Sequence, residues 1–91
     1  MAWTVYVLQS ESSGGFYVGS TGNPCRRVHD HNAGLSPSTR GRGPWKLVYQ
    51  EDHATRSEAV AREKHIKAMK SRKYVESLIE SAEGSRTVAE R

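Results

Sequence analysis

Two tyrosines, an arginine, a histidine and a glutamate are the residues of this chain best suited to chemistry. Tyr6 and Tyr17 stand in the apolar and aromatic runs Val5-Tyr6-Val7 and Phe16-Tyr17-Val18-Gly19-Ser20-Thr21, with a break at Gly14-Gly15 between them. Arg27 and His31 follow, four apart, and Glu63 comes much later. Together they meet the needs of phosphodiester hydrolysis: a water made nucleophilic, a cation on the phosphoryl oxygens, help for the leaving oxygen, and positioning. A single divalent metal supplies Lewis acidity. Magnesium is often held by one or two carboxylates, with waters completing its shell. An arginine grips a phosphate bidentately. Tyrosine hydroxyls orient water, or relay a proton when their pKa is lowered. No single member of the set is a strong signal; the set is.

The elements that must position these residues are legible. Trp3 to Leu8 is dense in β-branched and aromatic residues and predicts a strand. Ser10 to Gly15 predicts a turn, and Phe16 to Ser20 a second strand, making an antiparallel hairpin. Gly19 leaves space in that strand for close approach by a ligand or another backbone. A helix is predicted over 24–33, with Asn23 as cap, Pro24 at its first position and Gly34 closing it. At about 100° per residue, Arg27 and His31 point the same way. Leu35 to Gly43 has no periodicity and is expected to be a mobile, solvated loop. Pro44 to Gln50 predicts a third strand, with Trp45, Leu47 and Tyr49 alternating against Lys46, Val48 and Gln50.

Thr55 with Glu58 forms a capping-box signature for a helix running to about Lys70. Ala59, Ile66 and Met69 make its apolar stripe, with Val60 at the edge, and Glu63 falls inside it. A carboxylate there is costly to bury unless a cation meets it; the plainer readings are an inward ion pair or a side chain reaching the rim. Ser71 caps a last helix with Tyr74, Val75, Leu78 and Ile79 as its stripe. The fold class is therefore α+β: a small three-stranded antiparallel sheet, hairpin plus third strand, packed with about three helices. The order of the strands cannot be read at this level.

The 91 residues suit one domain. No apolar run is long enough to span a membrane and no leader is visible, so a soluble protein is expected. Cys25 is the only cysteine; it excludes an internal disulfide and suggests a reducing, cytoplasmic setting. The net charge is +4. Before Glu51 the acidic residues are Glu11 and Asp30, against Arg26, Arg27, Arg40, Arg42 and Lys46, which favours a polyanionic partner. Lys64, Lys67, Lys70 and Lys73 recur every three residues and could track phosphates or form an ordinary solvated face. Cys25, His29 and His31 invite a zinc reading, but no paired Cys-x-x-Cys or His-x-x-x-His spacing supports it.

In its motifs the chain resembles the GIY-YIG nuclease superfamily, in particular small, stand-alone, single-domain bacterial members. Thr4-Val5-Tyr6 takes the place of the first motif and Tyr17-Val18-Gly19 that of the second, with ten residues between the tyrosines. Arg27 lies eight after Gly19, His31 four after that, and Glu63 sits in Ala61-Arg62-Glu63-Lys64 on a later helix. The resemblance covers about Trp3 to Ile79. Two departures are visible: Thr4 replaces the first glycine of the motif, and no asparagine follows Glu63.

The resemblance implies a domain over 1–82; from Ala82 on no apolar stripe continues, so a flexible tail is expected over 83–91. It implies catalytic roles for Tyr6 as general base and for Tyr17 in holding the water or phosphate. Arg27 would stabilise transition-state charge, and His31 would assist it or carry a proton. Glu63 would hold one Mg2+ or Mn2+, and Gly19 would let the backbone approach. Arg26, Arg40, Arg42, Lys46, Lys67 and Lys70 are the expected nucleic-acid contacts. The implied function is metal-dependent endonucleolytic hydrolysis of DNA that is structured, nicked or single-stranded, leaving 5′-phosphate and 3′-hydroxyl ends. RNA as substrate and a protein partner for targeting stay open. A non-catalytic nucleic-acid-binding module of the same fold is the alternative, and a protein-interaction domain with a degenerate site a third.

Overall fold

A computed structural model describes residues 2–37 and 39–89, with side chains no further than Ser81. The elements run β1 (Trp3–Ser10), β2 (Phe16–Thr21), α1 (Pro24–Asn32), β3 (Trp45–His53), α2 (Arg56–Met69) and α3 (Arg72–Ala89). The expected α+β class holds. The sheet order is β2-β1-β3, antiparallel throughout, so the third strand returns to the free side of β1. β3 runs three residues further than its apolar pattern indicates, because Glu51, Asp52 and His53 continue the ladder opposite Val5, Thr4 and Trp3. The tail expected over 83–91 falls where side chains lie outside the described residues.

As the central strand, β1 is covered on both faces. Val5 and Val7 are fully buried and pack with Val18, Ala59, Ile66 and Val75, which seats α2 and α3 on one face. Tyr6 and Leu8 are equally buried on the other face, where Trp45, Tyr17 and Val28 gather under α1. Burying each large apolar side chain contributes on the order of 1.5–3 kcal/mol, so this strand anchors both layers.

A register shift between Val7 and Leu8 overturns the alternation expected in β3. Leu8 pairs with Leu47 but Val7 pairs with Tyr49, so Val48 is one residue too many for the ladder. Before the bulge, Trp45 turns toward the α1 layer; after it, Tyr49 turns toward the α2–α3 layer. There Glu51 gathers a polar strut: it accepts from Tyr49 Oη (2.6 Å) and Arg62 Nε (3.0 Å) and lies 2.6 Å from His53 Nε2. Arg62 also donates to Tyr74 Oη (3.1 Å), which ties α3 and α2 to β3.

The caps are those the local sequence dictates. Asn23 Oδ1 accepts from Arg26 N (3.2 Å) and Thr55 Oγ1 from Glu58 N (3.2 Å). Gly34, at φ 77°, closes α1 with its N–H on His31 O, while Leu35 N–H bonds Asp30 O. Met69, expected in the α2 stripe, is 45% exposed, because the helix ends there with Lys70 in the left-handed conformation.

Candidate active site

Tyr6 is brought into position by its neighbour across the ladder. It pairs with Gly19, and a Cβ added there would meet the Tyr6 hydroxyl at 2.6 Å. The phenol therefore lies across β2 in the space a side chain would take. The Tyr6 side chain makes a close approach at Gly19.

The Tyr6 hydroxyl is 3.0 Å from His31 Nε2, and His31 Nδ1 is 2.7 Å from Thr39 Oγ1. All three residues are at most 2% exposed. Thr39 is held through its carbonyl, which accepts from Trp45 Nε1 (3.2 Å) and Arg42 N (3.2 Å). Asn32 pins Trp45 in turn, accepting from its N–H (2.6 Å) and donating to its carbonyl (3.0 Å). The loop after α1 is thus not simply solvated, as its composition suggests: Ser36 and Thr39 are buried and it holds the histidine.

Tyr17 forms the outer wall. Its ring centroid lies 4.8 Å from His31 and 6.3 Å from Tyr6. Arg27 sits one helical turn before His31, with its side chain 37% exposed and NH1 3.8 Å from Asp30 Oδ2. Burial pushes the Tyr6 phenol above its ordinary pKa of 10.0, although the adjacent Arg27 guanidinium pulls the other way. The Tyr6 oxygen in turn raises Arg27. Burial, reinforced by Arg27, lowers His31 below the usual 6.5 against the opposing charge of Asp30. A lowered tyrosine pKa, the condition set for proton relay, is therefore not met; the site pairs a reluctant phenol with a neutral imidazole.

Glu63 comes from α2, on the opposite face of the sheet from the phenols. It reaches the β2 edge, where Ser20 Oγ donates to Oε1 (2.7 Å) and Lys67 Nζ to Oε2 (2.6 Å). Ser20 pairs with Val5 and so faces α2. Lys67 Nζ also stands 5.8 Å from the Tyr17 ring centroid, so the two faces meet around this edge strand. The Glu63 charge is among those that push Tyr6 upward. Part of the expected inward ion pair is thus present, with Lys67 as the cation.

The donor set at Glu63 fits a hard divalent ion. One carboxylate, 19% exposed beside a hydroxyl, suits magnesium or manganese, which keep several waters and take phosphate oxygens. It does not suit structural zinc, and no group of three His, Cys, Asp or Glu that could hold a metal occurs among the described residues. His29 and Cys25 are exposed on α1.

Arg26, Arg40, Arg42, Lys46, Lys67 and Lys70 are all exposed, as phosphate contacts must be. Lys67 and Lys70 flank Tyr17 in a groove of about 390 Å³ whose floor includes Phe16, Val18, Ile66 and Val75. Arg40 Nε donates to Gly34 O (3.0 Å), keeping it beside α1. Lys46 stands apart, since it pairs with Gln9 and lines a separate hollow with Glu11 and Gly14. Thr39, Ser20 and Asn32 had no signal in the sequence; each acts through a contact that only the folded chain creates.

The family model for the GIY-YIG catalytic domain matches residues 2–75. A UPF0213 protein of Desulfotalea psychrophila is 43% identical over 70 residues, covering 75% of this chain and 63% of that protein's length. A UPF0213 protein of Halobacterium salinarum is 44% identical over 66 residues, covering 71% of this chain and 84% of that one. The structure-specific endonuclease subunit SLX1 of Mus musculus is 44% identical over 50 residues, which is 50% of this chain but 18% of SLX1. The solution NMR structure of a UPF0213 protein from Bacillus halodurans superposes with a TM-score of 0.55 at 34% identity, covering 88% of this chain and 84% of that one. Because that family model spans most of its length, the chain belongs to the GIY-YIG catalytic-domain family.

Proposed function

We propose that this protein is an endonuclease that hydrolyses DNA phosphodiester bonds with Mg2+ or Mn2+, acting on structured, nicked or single-stranded substrates. The observation that carries the reading is the buried chain of contacts from Tyr6 through His31 to Thr39, with the Arg27 guanidinium at the Tyr6 hydroxyl. Glu63 would hold the divalent ion, whose contribution would be Lewis acidity toward the phosphate. The remaining work falls to side chains of the chain itself.

With its proton on Nδ1 and bonded to Thr39 Oγ1, neutral His31 presents Nε2 as acceptor to the Tyr6 hydroxyl. Water gives a proton to the Tyr6 oxygen as the phenolic proton passes to Nε2. The phenol thus never has to exist as a free phenolate, which its raised pKa would oppose. Hydroxide attacks phosphorus, the bond to the 3′ oxygen breaks, and solvent protonates that oxygen, leaving 5′-phosphate and 3′-hydroxyl ends. Arg27 binds the phosphoryl oxygens as charge builds, and Tyr17 walls the water and phosphate in. Arg26, Arg40, Arg42, Lys67 and Lys70 hold flanking phosphates.

The likeness to SLX1, which is named as a subunit, supports a protein partner that targets so small a domain. The lone Cys25 fits a cytoplasmic setting, and no helix among the described residues is long and apolar enough to cross a membrane. The test is cleavage of labelled branched, nicked and single-stranded DNA with Mg2+ or Mn2+. Tyr6→Phe, Arg27→Ala and Glu63→Gln should each lose at least about 100-fold in rate. Salt-dependent DNA binding with no metal-dependent cleavage would instead mark a binding module.

A further inference from the structure

The geometry points to Lys67 as a displaceable counter-ion that occupies the cation position on Glu63 and moves onto the nucleic acid when the metal binds. This inference rests on Glu63 being the cation ligand. Lys67 Nζ lies 2.6 Å from Glu63 Oε2, while Ser20 Oγ takes Oε1. Both carboxylate oxygens are thus engaged, one of them by a full positive charge. An ammonium and a divalent ion on the same carboxylate repel each other, so each lowers the affinity of the other.

The pair is built to part. Lys67 is 50% exposed and four residues after Glu63 on α2, and such helical pairs shift an equilibrium only on the order of twofold. The lysine also has somewhere to go. Its ammonium already stands over the Tyr17 ring, and Tyr17, Lys67 and Lys70 share the rim of one groove. Among the described residues lining that groove none is acidic, and the charged ones are Lys67, Lys70 and Arg72, so its rim favours a phosphate. A substrate phosphate at this rim draws Lys67 from Glu63 and opens the carboxylate to the metal. By reciprocity, metal at Glu63 frees Lys67 for the phosphate. Metal and nucleic acid then bind with positive coupling.

Two titrations test this without any turnover. Electron paramagnetic resonance of free Mn2+ measures metal affinity for the purified wild-type protein, Lys67→Met, Lys67→Arg and Glu63→Gln. Lys67→Met is expected to bind Mn2+ about twofold more tightly, Lys67→Arg to stay near wild type, and Glu63→Gln to lose the site. In EDTA, anisotropy of a fluorescein-labelled single-stranded 12-mer should show Glu63→Gln binding about twofold more tightly than wild type. That gain should shrink in Glu63→Gln/Lys67→Met relative to Lys67→Met alone. Circular dichroism melts confirm that each variant is folded. If Lys67→Met binds Mn2+ no better than wild type while Glu63→Gln loses it, the inference fails and the metal assignment stands. If Glu63→Gln binds Mn2+ like wild type, both fail. If the oligonucleotide gain is the same with and without Lys67, the hand-over to phosphate is wrong.

Discussion

The Tyr6 hydroxyl and the position of a Gly19 side chain are the same place: a Cβ there would sit 2.6 Å from the oxygen and 2.7 Å from Cζ. The glycine therefore sets where the phenol lies. Gly19→Ala is expected to fold, at a cost of about 1–3 kcal/mol from overpacking. It should cleave on the order of 100-fold more slowly, because the phenol is displaced from His31. Thermal melts with single-turnover cleavage rates check both halves; an alanine variant cleaving at the wild-type rate would show that the Tyr6 position is immaterial.

His31 imposes a direction on the pH dependence. In the proposed relay it must be neutral to accept the Tyr6 proton, and burial together with Arg27 holds its pKa below 6.5. The acid limb of kcat/KM should accordingly have its midpoint under 6.5, and the raised Tyr6 pKa places any limb due to that phenol above 10.0. Stability follows the same sign. Between the depressed folded value and the ordinary one, the unfolded chain binds more protons. The contribution is complete above the ordinary value and lost as pH falls through the folded one. Urea denaturation across that window should show the slope in wild type and its loss in His31→Phe.

Thr39 positions the imidazole without touching substrate. Thr39→Val keeps the shape but leaves Nδ1 without its 2.7 Å partner. The rate should fall on the order of tenfold, within the range of one buried hydrogen bond, with KM little changed and the acid limb moved. Thr39→Ser should restore both. A valine variant with an unaltered pH profile would remove Thr39 from the relay.

The strut on the far face separates stability from cleavage. Burial pushes Glu51 up, but bonds from Tyr49, His53 and Arg62 overcome it and hold the carboxylate below 4.5. Burial, and then the same contact, push Tyr49 up to about 12. Glu51→Gln should cost about 1–3 kcal/mol at neutral pH, since it leaves buried donors poorly matched. The penalty should vanish as acid protonates Glu51 in the wild type, because a depressed carboxylate stabilises only above its folded pKa. Cleavage per folded molecule should not change. Denaturant curves at neutral and acidic pH, with activity corrected for the folded fraction, measure this.

What was legible in the sequence is what depends on neighbours along the chain. Asn23, Pro24 and Gly34 bound α1 because capping is local, and Arg27 with His31 share a face because helical geometry is regular. Tyr6 and Tyr17 could be named from their spacing. Their electrostatics could not: the upward shift of Tyr6 comes from burial under α1, which no local pattern reports. Thr39 lies in a stretch of Ser, Pro, Arg and Gly that reads as solvent, and its burial depends on Trp45 and His31 closing over it. Nor was it legible that Glu63 and the phenols come from opposite faces, since that depends on β2 being an edge.

The surplus residue at Val48 has a consequence for how this strand can change in length. Trp45 and Tyr49 are an even number of steps apart, yet they serve opposite layers. Removing any one residue between them makes the interval odd, and an unbroken ladder then delivers each ring to the layer it already occupies. A one-residue gap is therefore tolerable between these two aromatics but not between Tyr49 and Glu51, which share a face. Close to Glu51 the same gap would turn the strut out to solvent, so relatives that differ in length here should differ on the Trp45 side of Tyr49.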